Sequence, residues 1–151
     1  MGVCQPFLTN KWEGENAHLQ KETLRRQTRF LSLTTPKPDL IVWPEASTPY
    51  AINFDPLWVE ELARETGIPL LIGAIVKEED RSFNTITMVS PGSGVSSDWY
   101  AKRVLVPFGE YVPYPFHWLP GLRKLVGPVG SFGKGEKAMS FELKPAGWSK
   151  E

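Results

Sequence analysis

The chain has 151 residues, the size of one domain and long enough to bury a core of its own. Its 17 Lys and Arg balance 17 Asp and Glu, so no net field draws it to nucleic acid or to an anionic membrane surface. It carries 14 Pro, well above the usual share of about 5%, and its longest apolar run, PLLIGAIV, falls far short of the roughly 20 residues that cross a bilayer.

The first six residues, MGVCQP, hold no signal segment and put Pro6 where a myristoylation start wants Ser or Thr. The segment is therefore expected to be soluble. GVCQPFL reads as a first strand ending at Pro6, followed by the polar loop TNKWEGEN with Trp12. From Glu15 to about Leu33, Leu19, Leu24, Phe30, Leu31 and Leu33 mark an imperfect helical face among charges. DLIVWPEAS then reads as a buried strand, stopped by Pro44 immediately before Glu45.

FDPLWVEELARETGIP predicts a helix with Asp55 as N-cap, Pro56 at the first helical position and Gly67 as the stop. Leu57, Trp58, Glu61 and Leu62 are spaced for one buried face with a polar edge. PLLIGAIV is the next buried strand, and SFNTITMVS another that turns at PGSG into VSSDWYAKRVLV. Strand, helix, strand implies a parallel pair, and the hairpin after it is antiparallel, so the class is α/β with a mixed sheet. Pro107 to Lys134 shows Pro, Gly and aromatics without a period, which suggests a functional loop. KAMSFEL at 137–143 alternates and reads as a last strand.

Three charged residues carry most of the chemical interest. Glu45 lies beyond the carboxyl end of a strand, where open α/β sheets hold ligands; it could equally be a solvated loop carboxylate or a helix cap. Lys102 follows Trp99 and Tyr100, either aimed at a partner or a surface lysine with a snorkelling stem. Glu110 sits between Gly109 and Tyr111, inside Pro107 and Pro113, on a backbone whose freedom is already restricted. Two carboxylates and a lysine at a sheet edge suit proton transfer next to a developing oxyanion.

A nucleophile is harder to find. Neither His18 nor His117 lies near a nucleophile elbow, and neither has a partner at metal-ligand spacing, so no metal or cofactor is expected. Cys4, the one cysteine, forms no internal disulfide and reads as a buried inert thiol in an apolar strand.

DLIVWPEAS with Glu45, YAKRVLVPFGEYVP with Lys102 and Glu110, and NKWE with Trp12 together resemble the carbon-nitrogen hydrolase, or nitrilase, domain of the apolipoprotein N-acyltransferases. FNTI with Asn84 and SFGKG at 131–135 resemble it too. The resemblance implies a nitrilase-like αββα sandwich, incomplete here, as a mixed sheet with helices on one face. It implies Glu45 as the base of a Glu-Lys-Cys triad, Lys102 as the stabiliser of the tetrahedral intermediate and Glu110 as an orienting glutamate. Trp12, Phe108 and Tyr111 would contact substrate.

The family's cysteine follows the lysine motif, and nothing after Lys102 here is a cysteine. Residues 1–151 are therefore expected to be the amino-terminal part of such a domain, ending before the catalytic thiol and inactive alone, with apolar sheet surface left exposed. The implied partners are a phospholipid acyl donor and a lipoprotein acceptor. The implied place is the periplasmic side of the bacterial inner membrane, reached through segments absent from this chain. Two other readings stay open: a soluble amidase or nitrilase, and a non-catalytic remnant that binds lipid or a partner.

Overall fold

Apolar runs separated by helix-forming stretches assemble here into a mixed sheet; the structure, a computed structural model, describes residues 1–6, 14–116 and 132–143. In chain order the elements are β1 (Gly2–Val3), α1 (Gly14–Ser32), β2 (Ile41–Trp43), α2 (Leu57–Thr66), β3 (Leu70–Glu78), β4 (Arg81–Ser90) and β5 (Gly94–Ala101). Sheet order follows chain order. β1, β2 and β3 are parallel, whereas β4 and β5 return antiparallel as hairpins.

Alternation along these strands sorts side chains onto two faces. Ile41, Trp43, Leu70, Ile72, Ala74, Val76 and Val89 point to one face and are buried with Leu24 of α1 and Trp58, Val59 and Leu62 of α2. Both helices cover this face, and each large side chain fully buried in it contributes about 1.5–3 kcal/mol. The rings of Trp43 and Trp58 stack at 5.4 Å.

The opposite face presents Val3, Val42, Leu71, Gly73, Ile86 and Tyr100. Neither helix covers it, and Val3 remains 59% and Ile86 38% exposed. The apolar sheet surface expected to be left open lies here.

Several sequence expectations shift in detail. Of the five apolar residues assigned to the face of α1, Leu19, Phe30 and Leu33 are exposed; the buried stripe is Ala17, Gln20, Leu24 and Thr28, with Leu31 packed at its edge. The two polar members bond to residues distant in the chain: Gln20 Nε2 donates to the Ser47 carbonyl at 2.6 Å, and Thr28 Oγ1 accepts from Trp43 Nε1 at 3.0 Å, while Gln20 Oε1 is buried without a partner among the described residues. On α2, Leu57 is exposed, and the buried face is Trp58, Val59, Leu62, Ala63 and Thr66.

Asp55 does not cap α2. Pro56 occupies the capping position with helical dihedrals and no side-chain cap bond, while Asp55 pairs with Lys21 of α1 at 2.5 Å. Gly67 does end the helix, at φ 66°, a left-handed conformation that glycine adopts without a Cβ penalty.

β5 stops at Ala101, so Val104 to Val106 is not strand: Val104 and Val106 are exposed. Residues 137–143 form no strand either, although 139–142 lie beside β5. Trp12, His117 and most of the aromatic stretch after it lie outside the described residues.

Candidate active site

Pro44 ends β2, and the chain then crosses over the uncovered face at Gly73 of β3. The crossing is close: a Cβ on Gly73 would stand 2.3 Å from the Pro44 carbonyl oxygen and 2.7 Å from Glu45 Cα. Only glycine admits it. The crossing is pinned by Ser47, whose backbone N–H and hydroxyl both donate to the Gly73 carbonyl, at 2.7 and 2.8 Å. Ala46 takes up the bend at φ 48°. Glu45 is thereby held above the open face, at the carboxyl end of β2.

Lys102 arrives from the other side. Its backbone N–H donates to the Asn84 carbonyl at 2.8 Å, extending the β4–β5 ladder one residue beyond Ala101. This register places Lys102 opposite Asn84, on the same face as Glu45.

Glu110 comes back through a tight turn. Its N–H donates to the Val106 carbonyl at 2.8 Å, Phe108 N–H to the Tyr111 carbonyl at 2.7 Å, and the Val106 N–H to Glu110 Oε2 at 2.8 Å. Phe108 turns the corner at φ 61°. Pro107 fixes its own φ inside this turn, so the carboxylate has little freedom to leave.

The three groups meet. Lys102 Nζ lies 3.0 Å from Glu45 Oε1 and 3.1 Å from Glu110 Oε1. Asn84, which the sequence tied to the site only through a resemblance, completes the cluster: its Nδ2 donates to Glu110 Oε1 at 3.2 Å and also to Glu45 Oε1. Asn84 is buried on β4 between the two carboxylates. The sequence signal for it was its place in an alternating strand next to the lysine strand; the cross-strand pairing itself is non-local.

Exposure differs among the three. Glu110 is 13% exposed, Lys102 30% and Glu45 60%. The most open carboxylate is Glu45, and the most buried, Glu110, is the one held by backbone. Hydrogen bonding to Glu45, helped by Glu110 and opposed by partial burial, raises the Lys102 pKa above its ordinary value. Burial works against ionisation of Glu110, but the Val106 amide, Lys102 and Asn84 outweigh it and hold its carboxyl below the usual range. Both charges therefore persist across neutral pH.

Glu45, Asn84 and Lys102 line one cleft of about 250 Å³ with Val42, Leu71, Ile86 and Tyr100 as its apolar walls. Phe108 and Tyr111 do not line it. Phe108 packs on Phe116 at 5.9 Å, and Tyr111 faces a separate cleft with Val104, Leu105 and Phe132. Cys4 is buried on the sheet's far side from this cleft, beside Thr28 at 3.5 Å, and burial pushes its thiol pKa up despite hydrogen bonds to Thr28 and Trp43. It is not a nucleophile for this cluster. Among the described residues no group of His, Cys, Asp and Glu is placed to hold a metal.

Solved structures share this architecture. A carbon-nitrogen hydrolase from Helicobacter pylori superposes with a TM-score of 0.60 at 17% identity, covering 89% of this chain and 44% of that one. A CN-hydrolase superfamily protein from Xanthomonas campestris gives 0.57 at 16% identity, covering 85% and 44%. The fold is that of the carbon-nitrogen hydrolases, present here as an open α/β sheet. No family model matches the chain.

Sequence relatives are more specific. Apolipoprotein N-acyltransferase of Pseudomonas aeruginosa is 33% identical over 150 residues, and that of Geobacter metallireducens 33% over 144, covering 89% and 87% of this chain. The enzyme of Aquifex aeolicus is 30% identical over 109 residues. By sequence the chain is homologous to a segment of the apolipoprotein N-acyltransferases. It spans only about a quarter of their length: 28%, 26% and 24% respectively.

Proposed function

We propose that these residues form the glutamate-lysine half of an acyl-transfer centre, within a protein that moves a fatty acyl chain from phospholipid to the N-terminal amine of a diacylglyceryl-cysteine lipoprotein. One observation carries the proposal: a single ammonium, Lys102 Nζ, held between Glu45 at 3.0 Å and Glu110 at 3.1 Å on the rim of a cleft.

In this reading Glu45 is the general base. It takes the proton of a cysteine thiol, the thiolate attacks the ester carbonyl of the donor, and Lys102 stabilises the tetrahedral oxyanion. Collapse expels the lysolipid alcohol, which takes up the proton from Glu45, and leaves a thioester. The acceptor amine then attacks the thioester, Glu45 accepts its proton, and the thiol leaves as the amide forms. Glu110 and Asn84 are positioning residues: Glu110 holds Lys102 charged and aimed, and Asn84 holds the Glu45 and Glu110 carboxylates in place.

Cys4 cannot supply the thiol, because it is buried away from the cleft. In this reading the nucleophile is supplied from outside these 151 residues. The inner membrane, with the domain on its periplasmic side, is the place this reaction requires; among the described residues no helix is long and apolar enough to cross a membrane. The buried cysteine also favours a second reading for these 151 residues by themselves, a lipid- or partner-binding unit without turnover.

The test has two arms. The chain alone, given phospholipid and a diacylated lipopeptide, yields no acylated product; a thioester on Cys4 would overturn the assignment. Grafted in place of the matching segment of the Pseudomonas aeruginosa relative, it supports transfer, and Glu45→Gln or Lys102→Ala in the graft lowers kcat/KM by at least about a hundredfold. A Glu45→Gln graft as active as the unmodified graft would refute the base.

A further inference from the structure

A second cleft, of about 430 Å³, lies next to the cluster. Its walls are Val104, Leu105, Tyr111 and Phe132, and its rim carries Arg103 and Lys134. An adjoining hollow shares these two cations and adds Glu136. Neither cation makes an ion pair among the described residues; Glu136, the one carboxylate in the hollow, pairs with neither.

The cleft is tied to the acyl-transfer centre by backbone. Arg103 directly follows Lys102, and Gly135, directly after Lys134, donates its N–H to the Lys102 carbonyl at 3.0 Å. Phe132 N–H donates to the Glu110 carbonyl at 2.8 Å. A ligand bound here thus lies against the backbone that carries Lys102 and Glu110.

Two cations without an ion pair among the described residues, at the mouth of an apolar cleft, are complementary to an amphiphile with an anionic group at the junction of its polar and apolar parts. We propose that Arg103 and Lys134 bind the phosphodiester of a glycerophospholipid acyl donor, with hydrocarbon lying over Val104, Leu105, Tyr111 and Phe132. This rests on the acyl-transfer reading, and it makes the pair a determinant of donor specificity. Only a glycerol backbone separates that phosphodiester from the ester carbonyls, so anchoring it limits which carbonyl reaches Lys102. The planar guanidinium supplies paired donors to phosphate oxygens, and the lysine supplies charge.

The probe is monomeric dihexanoyl-phosphatidylglycerol, titrated into the 151-residue chain and followed by amide NMR. Saturable shifts are expected at residues 103–105 and 132–135, and the Arg103→Ala/Lys134→Ala variant, whose changes are at exposed positions, should bind at least about tenfold more weakly. Arg103→Glu alone should weaken binding as well. Inorganic phosphate and dihexanoyl-glycerol should each bind at least about tenfold more weakly than the phospholipid. Equal affinity in the double variant, or phosphate binding as tightly as the lipid, would overturn the proposal.

Activity separates this proposal from the one beneath it. In the active graft, the double variant should raise the donor KM about tenfold with kcat unchanged. An active graft whose KM ignores the double variant refutes the phosphodiester site and leaves acyl transfer standing. Lipid binding at the pair in a graft that turns over nothing refutes acyl transfer and leaves the site standing.

Discussion

Lys102 and Glu110, eight residues apart in sequence, face each other at 3.1 Å across a turn that the glutamate itself closes by accepting from the Val106 N–H at 2.8 Å. One carboxylate therefore fixes both a backbone turn and an ammonium. Replacing it changes two things at once. Glu110→Gln keeps the volume and one acceptor but removes the charge. It should lower stability by about 1–3 kcal/mol, read from the urea midpoint, and lower turnover in the active graft by tenfold or more. Normal turnover would refute the orienting role.

Stability should depend on pH through the same pair. The carboxyl of Glu110 has a lowered folded pKa, so its contribution is complete above the unfolded value of about 4.3 and is lost as pH falls through the folded one. Lys102 has a raised folded pKa, so its contribution is complete below about 10.4 and is lost as pH rises through the folded one. Unfolding free energy is then expected to decline on both sides of that window. Glu110→Gln should flatten the acid limb. The surface pairs Arg29 with Glu65 and Arg25 with Glu22 are solvent-screened and should contribute little to it.

Gly73→Ala should displace Glu45. A methyl at this position would overlap the Pro44 carbonyl oxygen at 2.3 Å, and both partners are backbone, so neither can swing aside. The expected loss is about 1–3 kcal/mol or more. The Lys102–Glu45 contact should be lost with it, while Gly92→Ala, where nothing lies within 4 Å, should be silent. Chemical unfolding of the two variants side by side checks this.

Asn84→Ala should raise the energy of both carboxylates together. It removes a donor shared by Glu45 and Glu110 without adding charge. In the active graft, kcat should fall at least about tenfold, with the donor KM little changed, as expected for a group acting on the transition state rather than on binding. Asn84→Asp should fall further, because a third carboxylate at the same ammonium is repelled by the other two.

Much of this was legible in the sequence because its signals are local. The strand-helix-strand-hairpin order followed from apolar runs and from punctuation by Pro44 and Gly67, and the place of Glu45 followed from the end of β2. What escaped depends on residues distant in the chain. Asp55 looked like a cap until Lys21 of α1 claimed it. The buried stripe of α1 includes Gln20 and Thr28, which are recognisable as core only once Ser47 and Trp43 are there to bond them. Val104 to Val106 had strand composition and 137–143 had the alternation, yet β5 ends at Ala101 and neither segment joins the sheet. Asn84 gained its meaning from register: pairing with Lys102 across β4 and β5 put it beneath both carboxylates. Phe108 and Tyr111, expected to contact substrate, lie outside the cleft of Glu45 and Lys102: Phe108 packs on Phe116 and Tyr111 lines the neighbouring cleft.

The most direct test of the central claim is an NMR titration of the Lys102 side-chain ammonium in this chain, compared with Glu45→Gln and Glu110→Gln. The account predicts a pKa above that of ordinary lysine, falling in each variant and falling furthest when both carboxylates are replaced. A Lys102 that titrates like an exposed lysine, and ignores both substitutions, would contradict it.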